Sequence, residues 1–356
     1  MSLKYTKMKI FHFKEKLDSL PLEVPEIQPP IYIRIKPTNV CNHNCSYCAY
    51  KIESLQVGKD MLKNSFIPKE KMLEILDDIK EMGVKAVTFT GGGDPFHYPY
   101  LLDAVKHLEG SRVKFAALTN GSRLQGELAE TFAAHAEWLR VSIDGWDDTS
   151  YAGYRGVRAG EFTKVMKNMR EFMKLNGKCY LGVSFIVDEK NSEHVYDFIL
   201  RLKDLGINSV KVSPCILYND SLANNSYHEP FFDKVKDQVA KARHELADDS
   251  FEIFDAYHKL DDRFNKDYHW CPHIQILPVI GADLNVYSCQ DKAYNLDGGL
   301  LGSIKDQRFK DFWFSDKRRF FQIDPSTTCN HHCVASEKNR LILDYLNADR
   351  DHLEFV

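Results

Sequence analysis

The sequence predicts an α/β fold, a partial (β/α)6 TIM-like barrel followed by a small C-terminal β-hairpin plus helix unit. Three observations predict it. Six β-branched, apolar runs alternate with amphipathic helical patterns between residues 31 and 213, and such alternation means a parallel sheet. The runs end repeatedly in glycine or in polar residues, as strands do where a barrel binds its ligand. Nine cysteines fall into two spaced groups and a remaining pair. Six βα units are too few to close an eightfold barrel, so an open one is expected.

The elements follow in order. Residues 31–36 (IYIRIK) read as the first strand, with a cysteine-rich loop directly after it. Residues 68–82 carry Pro near the start and apolar residues at helical spacing, and Gly83 stops that helix. Strands are predicted over 84–90, 112–118, 137–143, 179–187 and 208–213. Helices are predicted over 99–109, 124–135, 161–175 and 192–205. Beyond them, 274–280 and 284–289 bracket Gly281-Ala282-Asp283 as a hairpin, 310–320 is amphipathic, and a helix closes the chain near 336–347. The expected organisation is an N-terminal extension (1–29), a barrel core (30–225), a connecting helical segment (226–265) and a C-terminal unit (266–356).

Composition narrows the function classes. The chain has 356 residues, 44% hydrophobic and 28% charged, and a net charge of −4. That is a globular balance, with no basic excess for nucleic acid or a membrane surface. No apolar run is long enough to span a bilayer, and the basic N-terminus lacks the apolar core of a signal peptide. A cytoplasmic location with reduced cysteines is expected.

Cys41, Cys45 and Cys48 are spaced C-x3-C-x2-C. Structural zinc wants four ligands, and His43 is the only nearby candidate for a fourth. Three thiolates suit a [4Fe–4S] cube with one iron left open to chelate a small molecule. Cys271, Cys289, Cys329 and Cys333 form the second group. By spacing alone, four thiolates serve zinc or an iron–sulfur cluster. His331 and His332, between its last two cysteines, read as exposed loop residues. Cys179 reads as a small core residue. Cys215 follows the sixth strand, where it is either packing or a hydrogen-atom donor. Tyr218 and Asp220 follow it in a loop, as candidate substrate contacts. Thr90-Gly91-Gly92-Gly93-Asp94-Pro95, Thr119-Asn120-Gly121, Ser142-Ile143-Asp144-Gly145 and Ser213-Pro214-Cys215 would converge on one barrel face.

These motifs resemble those of the radical S-adenosylmethionine (SAM) superfamily. The C-x3-C-x2-C loop is similar to its signature, and Gly92-Gly93-Asp94 resembles its glycine–glycine–acid motif, with Asp where many members have Glu. The resemblance implies that the open iron chelates SAM, whose reductive cleavage gives a 5′-deoxyadenosyl radical that abstracts hydrogen from substrate. It implies that Asp94 meets the SAM ammonium, that the Tyr47 backbone meets the adenine, and that Ser142 and Arg155 hold ribose and carboxylate, with Asn120 beside them. The second group resembles the twitch domain, a shortened SPASM extension, and implies an auxiliary [4Fe–4S] cluster fully ligated by cysteine.

Such a layout implies oxidation of a small polar metabolite such as a sugar or aminocyclitol, with a reductant such as flavodoxin or ferredoxin as partner. Peptide maturation, radical epimerisation or dehydration, and a non-enzymatic metal scaffold are the alternatives. The short N-terminal extension argues against a peptide-recognition domain of winged-helix type.

Overall fold

The computed structural model describes residues 4–52, 55, 57–260 and 264–355. Residues 1–3 of the N-terminal extension and 261–263 of the connecting segment lie outside them. The strands are β1 (Tyr32–Ile35), β2 (Ala86–Phe89), β3 (Lys114–Thr119), β4 (Trp138–Ser142), β5 (Tyr180–Val187), β6 (Ser209–Pro214), β7 (Glu252–Asp255), β8 (Val279–Ile280), β9 (Asn285–Tyr287) and β10 (Leu300–Ser303). The helices in chain order are α1 (Lys14–Asp18), α2 (Lys69–Met82), α3 (Leu101–Leu108), α4 (Gly126–His135), α5 (Asp148–Arg155), α6 (Glu161–Lys174) and α7 (Val195–Asp204). They continue with α8 (Ser221–His228), α9 (Phe232–Glu245), α10 (His273–Ile276), α11 (Phe309–Ser315), α12 (Pro325–Thr328) and α13 (Ser336–Asn347).

Among the described residues these strands form one sheet, in the order β10-β9-β8-β1-β2-β3-β4-β5-β6-β7. β1 to β7 are parallel neighbours, β8 joins the free side of β1 in parallel, and β9 and β10 run antiparallel. The fold is therefore α/β with an open, TIM-like parallel sheet. The register aligns Arg34, Thr88, Ala116, Trp138 and Tyr180 on one face. The opposite face, with Ile33, Ile35, Val87, Phe89, Leu139 and Val141, is buried in the main apolar core. The period of two along each strand thus separates an apolar outer face from an inner face with Arg34, Thr88, Arg140, Ser142 and Ser184. An inward face that polar leaves a hollow for a ligand.

The structure corrects three expectations. A seventh parallel strand, β7, lies within the segment expected to be helical; it is short, at the sheet edge and ended by acids, so its pattern is weak. Residues 274–276, expected to begin a hairpin strand, lie in α10 (His273–Ile276). Pro272 stands at its start with φ −54° and ψ −33°, already helical, which a proline ring favours. Residues 148–155, which carry no predicted element between the strand expected at 137–143 and the helix at 161–175, form α5. Asp147 caps it reciprocally with Ser150, and Gly156 ends it at φ 59°.

The N-terminal extension packs on the C-terminal unit. Leu17 and Leu20 share a small apolar cluster with Ile276 and Ile342. The Lys317 ammonium donates to the carbonyls of Ser19 and Val24, holding the extension in place. No helix among the described residues is long and apolar enough to cross a membrane.

Candidate active site

A cavity of about 630 Å³ opens at the carboxyl ends of the parallel strands. Cys41, Cys45 and Cys48 line it together with Gly92, Gly93, Asp94, Asn120, Ser142 and Arg155. Nine of the residues singled out from sequence therefore meet around one space. Tyr47 does not line it; its ring lies under the Arg155 guanidinium, 5.5 Å from centroid to Cζ. Cys215 does not line it either. It is buried after β6, its carbonyl accepting from His228 Nε2 at 2.9 Å, and burial pushes its thiol up to about 12. Cys179 is buried in the main core. Asp220 caps α8, and Tyr218 is exposed.

The cysteine loop is held by its neighbours. The Asn44 N–H donates to the Arg155 carbonyl at 2.7 Å, and the Ser46 N–H to the Tyr154 carbonyl at 3.1 Å. The orphan carbonyls at the end of α5 thus anchor the loop. On its other side, the Gly93 and Asp94 N–H groups donate to the Thr38 and Val40 carbonyls. A Cβ on Gly93 would lie 2.1 Å from the Val40 carbonyl oxygen, so only glycine lets the two backbones approach.

Asp94 is buried and heavily hydrogen-bonded. It accepts from the Phe96 N–H (2.9 Å), the Asn120 N–H (2.6 Å) and the Thr119 hydroxyl (3.0 Å). Burial raises its pKa, and these donors oppose that rise. Much of its accepting capacity is thereby committed to tying β2 to β3. The Asn120 amide donates to Asn42 at 2.9 Å and lies 3.9 Å from the Cys41 sulfur.

Arg155 is 4% exposed and Asp144 1%, and the two form a buried ion pair. Burial works against the arginine charge, but Asp144 and the Cys45 sulfur hold its pKa above the ordinary value. His43 is buried, and burial, then Arg155, lowers its pKa to about 3. A neutral imidazole there keeps one more cation away from Arg155.

The four cysteines of the second group act on one another's charge. Burial raises Cys271 to about 12 and Cys333 to about 11, and Cys289 well above the usual thiol range, with neighbouring sulfurs adding to it. Bare thiolates are disfavoured in such a place unless a metal cation is present. Asn339 donates to the Cys271 sulfur at 3.1 Å. Cys289, Asp291 and His331 also bring ligand atoms within 4.8 Å of one another. His331 is buried, not exposed as its polar loop suggested, and burial lowers its pKa to about 3; His332 is partly buried. Both cysteine sets thus fit a metal cluster in donor chemistry.

Gln290, next to Cys289, lines the same cavity as the first cysteine group. Sequence reasoning missed it, along with Tyr50 and Lys36. The available signal was the alternation in IYIRIK, which turns Arg34 and Lys36 to the hollow side of β1.

The comparisons agree with this geometry. The chain is 27% identical over 206 residues to GTP 3′,8-cyclase of Psychromonas ingrahamii, covering 57% of this chain and 56% of that protein. It is 24% identical over 184 residues to an S-adenosylmethionine-dependent nucleotide dehydratase of Lacinutrix mariniflava, covering 52% of this chain and 33% of the relative. The match thus spans about half or less of these relatives' length. Streptococcus suis SuiB bound to S-adenosylmethionine superposes with a TM-score of 0.60 at 16% identity, over 86% of this chain and 70% of SuiB. The enzyme anSMEcpe with bound AdoMet gives 0.58 at 16% identity, over 92% and 98%. These likenesses show the fold. The radical SAM superfamily profile matches residues 35–224, across the cysteine loop, the glycine turn and Arg155, and the chain belongs to that superfamily.

Proposed function

We propose that this radical SAM enzyme oxidises a small polar metabolite at a C–H bond, with a second [4Fe–4S] cluster held by Cys271, Cys289, Cys329 and Cys333. The observation that carries this reading is the position of Gln290. Gln290 follows Cys289 directly and lines the cavity that the first group lines, which supports a second site close by. In this reading an electron leaving a substrate there passes to the second site.

Cys41, Cys45 and Cys48 would hold the SAM-binding cluster. When bound, SAM and that cluster supply a one-electron cleavage and a radical that takes a hydrogen atom from substrate. The chain's own residues bind and orient. The glycine turn offers backbone at close range, and Asn120 and Asp94 fix its shape. Ser142 and Arg155 face the SAM ribose and carboxylate, and the Tyr47 ring backs Arg155. Cys215, buried behind the wall, is assigned to packing. A soluble reductant such as flavodoxin or ferredoxin would supply the electron for SAM cleavage. The domain limits follow the same division, with the core over 30–225 and the auxiliary unit over 266–356.

A nucleotide substrate is the second reading. The names of the two curated relatives favour it, and Lys51, Lys63 and Arg140 at the cavity suit phosphate. There the substrate radical would cyclise or lose water rather than an electron.

Anaerobic reconstitution should give about eight irons per chain, and alanine at Cys41, Cys45 and Cys48 should leave about four. With dithionite and SAM, 5′-deoxyadenosine should form. Deuterated sugars, aminocyclitols and nucleotides should then be compared for deuterium transfer into it. Transfer from a sugar or aminocyclitol with a two-electron oxidised product supports the first reading. Transfer from a nucleotide with a redox-neutral product replaces it, and no 5′-deoxyadenosine under any condition rejects both.

A further inference from the structure

Lys36 lies one residue beyond β1, on the inner face of the sheet, and is 0% exposed. A lysine this deep needs acceptors. Its ammonium donates to the Tyr50 hydroxyl and, at 2.8 Å, to the Gly91 carbonyl. The same Tyr50 oxygen accepts from the Gln290 side-chain amide. These partners come from three places that matter. Tyr50 stands two residues past Cys48, Gly91 opens the glycine turn, and Gln290 follows Cys289. One chain of hydrogen bonds, Gly91–Lys36–Tyr50–Gln290, thus links the glycine turn to residues beside one cysteine of each group. Burial, then Arg34, disfavours the ammonium and lowers its pKa, while its two acceptors and the charges of Asp291, Cys48 and Cys289 favour it. One cysteine of each group is among them.

We propose that Lys36 is a positioning residue shared by both metal sites, a buried cation that sets the reduction potentials of the two clusters together. The inference rests on the two-cluster reading above. A reduced cluster carries one more negative charge than an oxidised one. A fixed positive charge nearby, in a medium of low dielectric, favours the reduced form. Because Lys36 is tied through Tyr50 and Gln290 to the chain beside Cys48 and Cys289, its removal should move both potentials in the same direction. Tyr50, itself bonded by Gln290, fixes the ammonium, which a lysine elsewhere in the sheet would not reproduce.

The test needs no substrate. Wild type, Lys36→Met and Lys36→Arg are reconstituted anaerobically, their iron is counted, and each centre is titrated by EPR-monitored reduction. Lys36→Gln replaces the methionine variant if that variant binds no iron. The expected result is full iron in each protein, both midpoint potentials lowered in the neutral variant, and both restored towards wild type by arginine. A shift in one centre only, or in neither, overturns the role of Lys36. A wild type holding about four irons would instead sink the two-cluster reading before any variant is titrated. The two failures are therefore distinguishable.

Discussion

Arg155 Nη1 lies 3.6 Å from the Cys45 sulfur while another nitrogen of the same guanidinium pairs with Asp144. A residue assigned to the SAM carboxylate is thus already committed on its far side to a buried acid. Arg155 is held at the cavity by that pair and by its place in the last turn of α5. Asp144 in turn accepts from the Ile186 N–H at 3.0 Å, so the pair fastens β4, β5 and the cysteine loop together.

Removing one partner strands the other in the core. Arg155→Met should cost about 3–5 kcal/mol, because Asp144 is left buried and unpaired. Arg155→Met with Asp144→Asn should recover part of that loss. Urea denaturation of the metal-free protein measures the cycle. If the losses in Arg155→Met alone and Asp144→Asn alone add up to the loss in the double variant, the pair is not coupled.

Asp94→Asn separates structure from ligand binding. The carboxylate receives three donors. An amide would turn an NH2 group toward one of them, leaving a buried donor without an acceptor. We expect about 1–3 kcal/mol of lost stability, together with weaker SAM binding in the reconstituted protein, read by equilibrium dialysis. Unchanged stability would mean that the β2–β3 tie is carried by the backbone alone.

Much of the site was legible because its chemistry restricts residue type at short spacing. Three cysteines in eight residues, a run of glycines before an acid, and Asn120-Gly121 after a strand are local signals. The Lys36–Tyr50–Gln290 link is not. Tyr50 and Gln290 are 240 residues apart, and their meeting depends on β8 adding to β1. The helix α5 carried a readable cap at Asp147, but its partner is Ser150 where Glu or Gln is the stronger signal. β7 is four residues at an edge, too short for period two to stand out. His331 looked solvated because its neighbours are polar; its burial follows from how the loop folds over the cysteines.

The pH dependence of stability has an identifiable contributor in His228, which is 4% exposed. Its Nε2 must donate to the Cys215 carbonyl (2.9 Å), so its Nδ1 accepts from the Tyr257 hydroxyl (3.0 Å). This arrangement needs the neutral ring. Burial lowers its pKa, against a smaller opposing effect of the Cys215 carbonyl. With the folded value below the unfolded one of about 6.5, the unfolded chain binds more protons below that pH. Stability from His228 is therefore full above pH 6.5 and is lost as pH falls toward the folded value. Urea midpoints at pH 7 and pH 5 should differ less in His228→Gln than in wild type. An equal drop in both would assign the acid sensitivity elsewhere.

Gly93→Ala tests how the first cysteine loop is held. The added methyl would stand 2.1 Å from the Val40 oxygen and 2.5 Å from the Asn39 carbonyl carbon. Both atoms are backbone, so neither can swing aside. The chain must part at the point where the Gly93 and Asp94 N–H groups donate to Thr38 and Val40. Cys41 follows Val40 directly, so the first sulfur moves with the displaced strand end. The second cysteine group lies on other elements and keeps its geometry. We therefore expect a folded protein whose iron content falls from about eight toward about four per chain, with SAM cleavage lost. Iron analysis beside far-UV circular dichroism reads both. Retention of all the iron would show that the cysteine loop tolerates a shifted anchor, and would refute the close approach as the reason for glycine at this position.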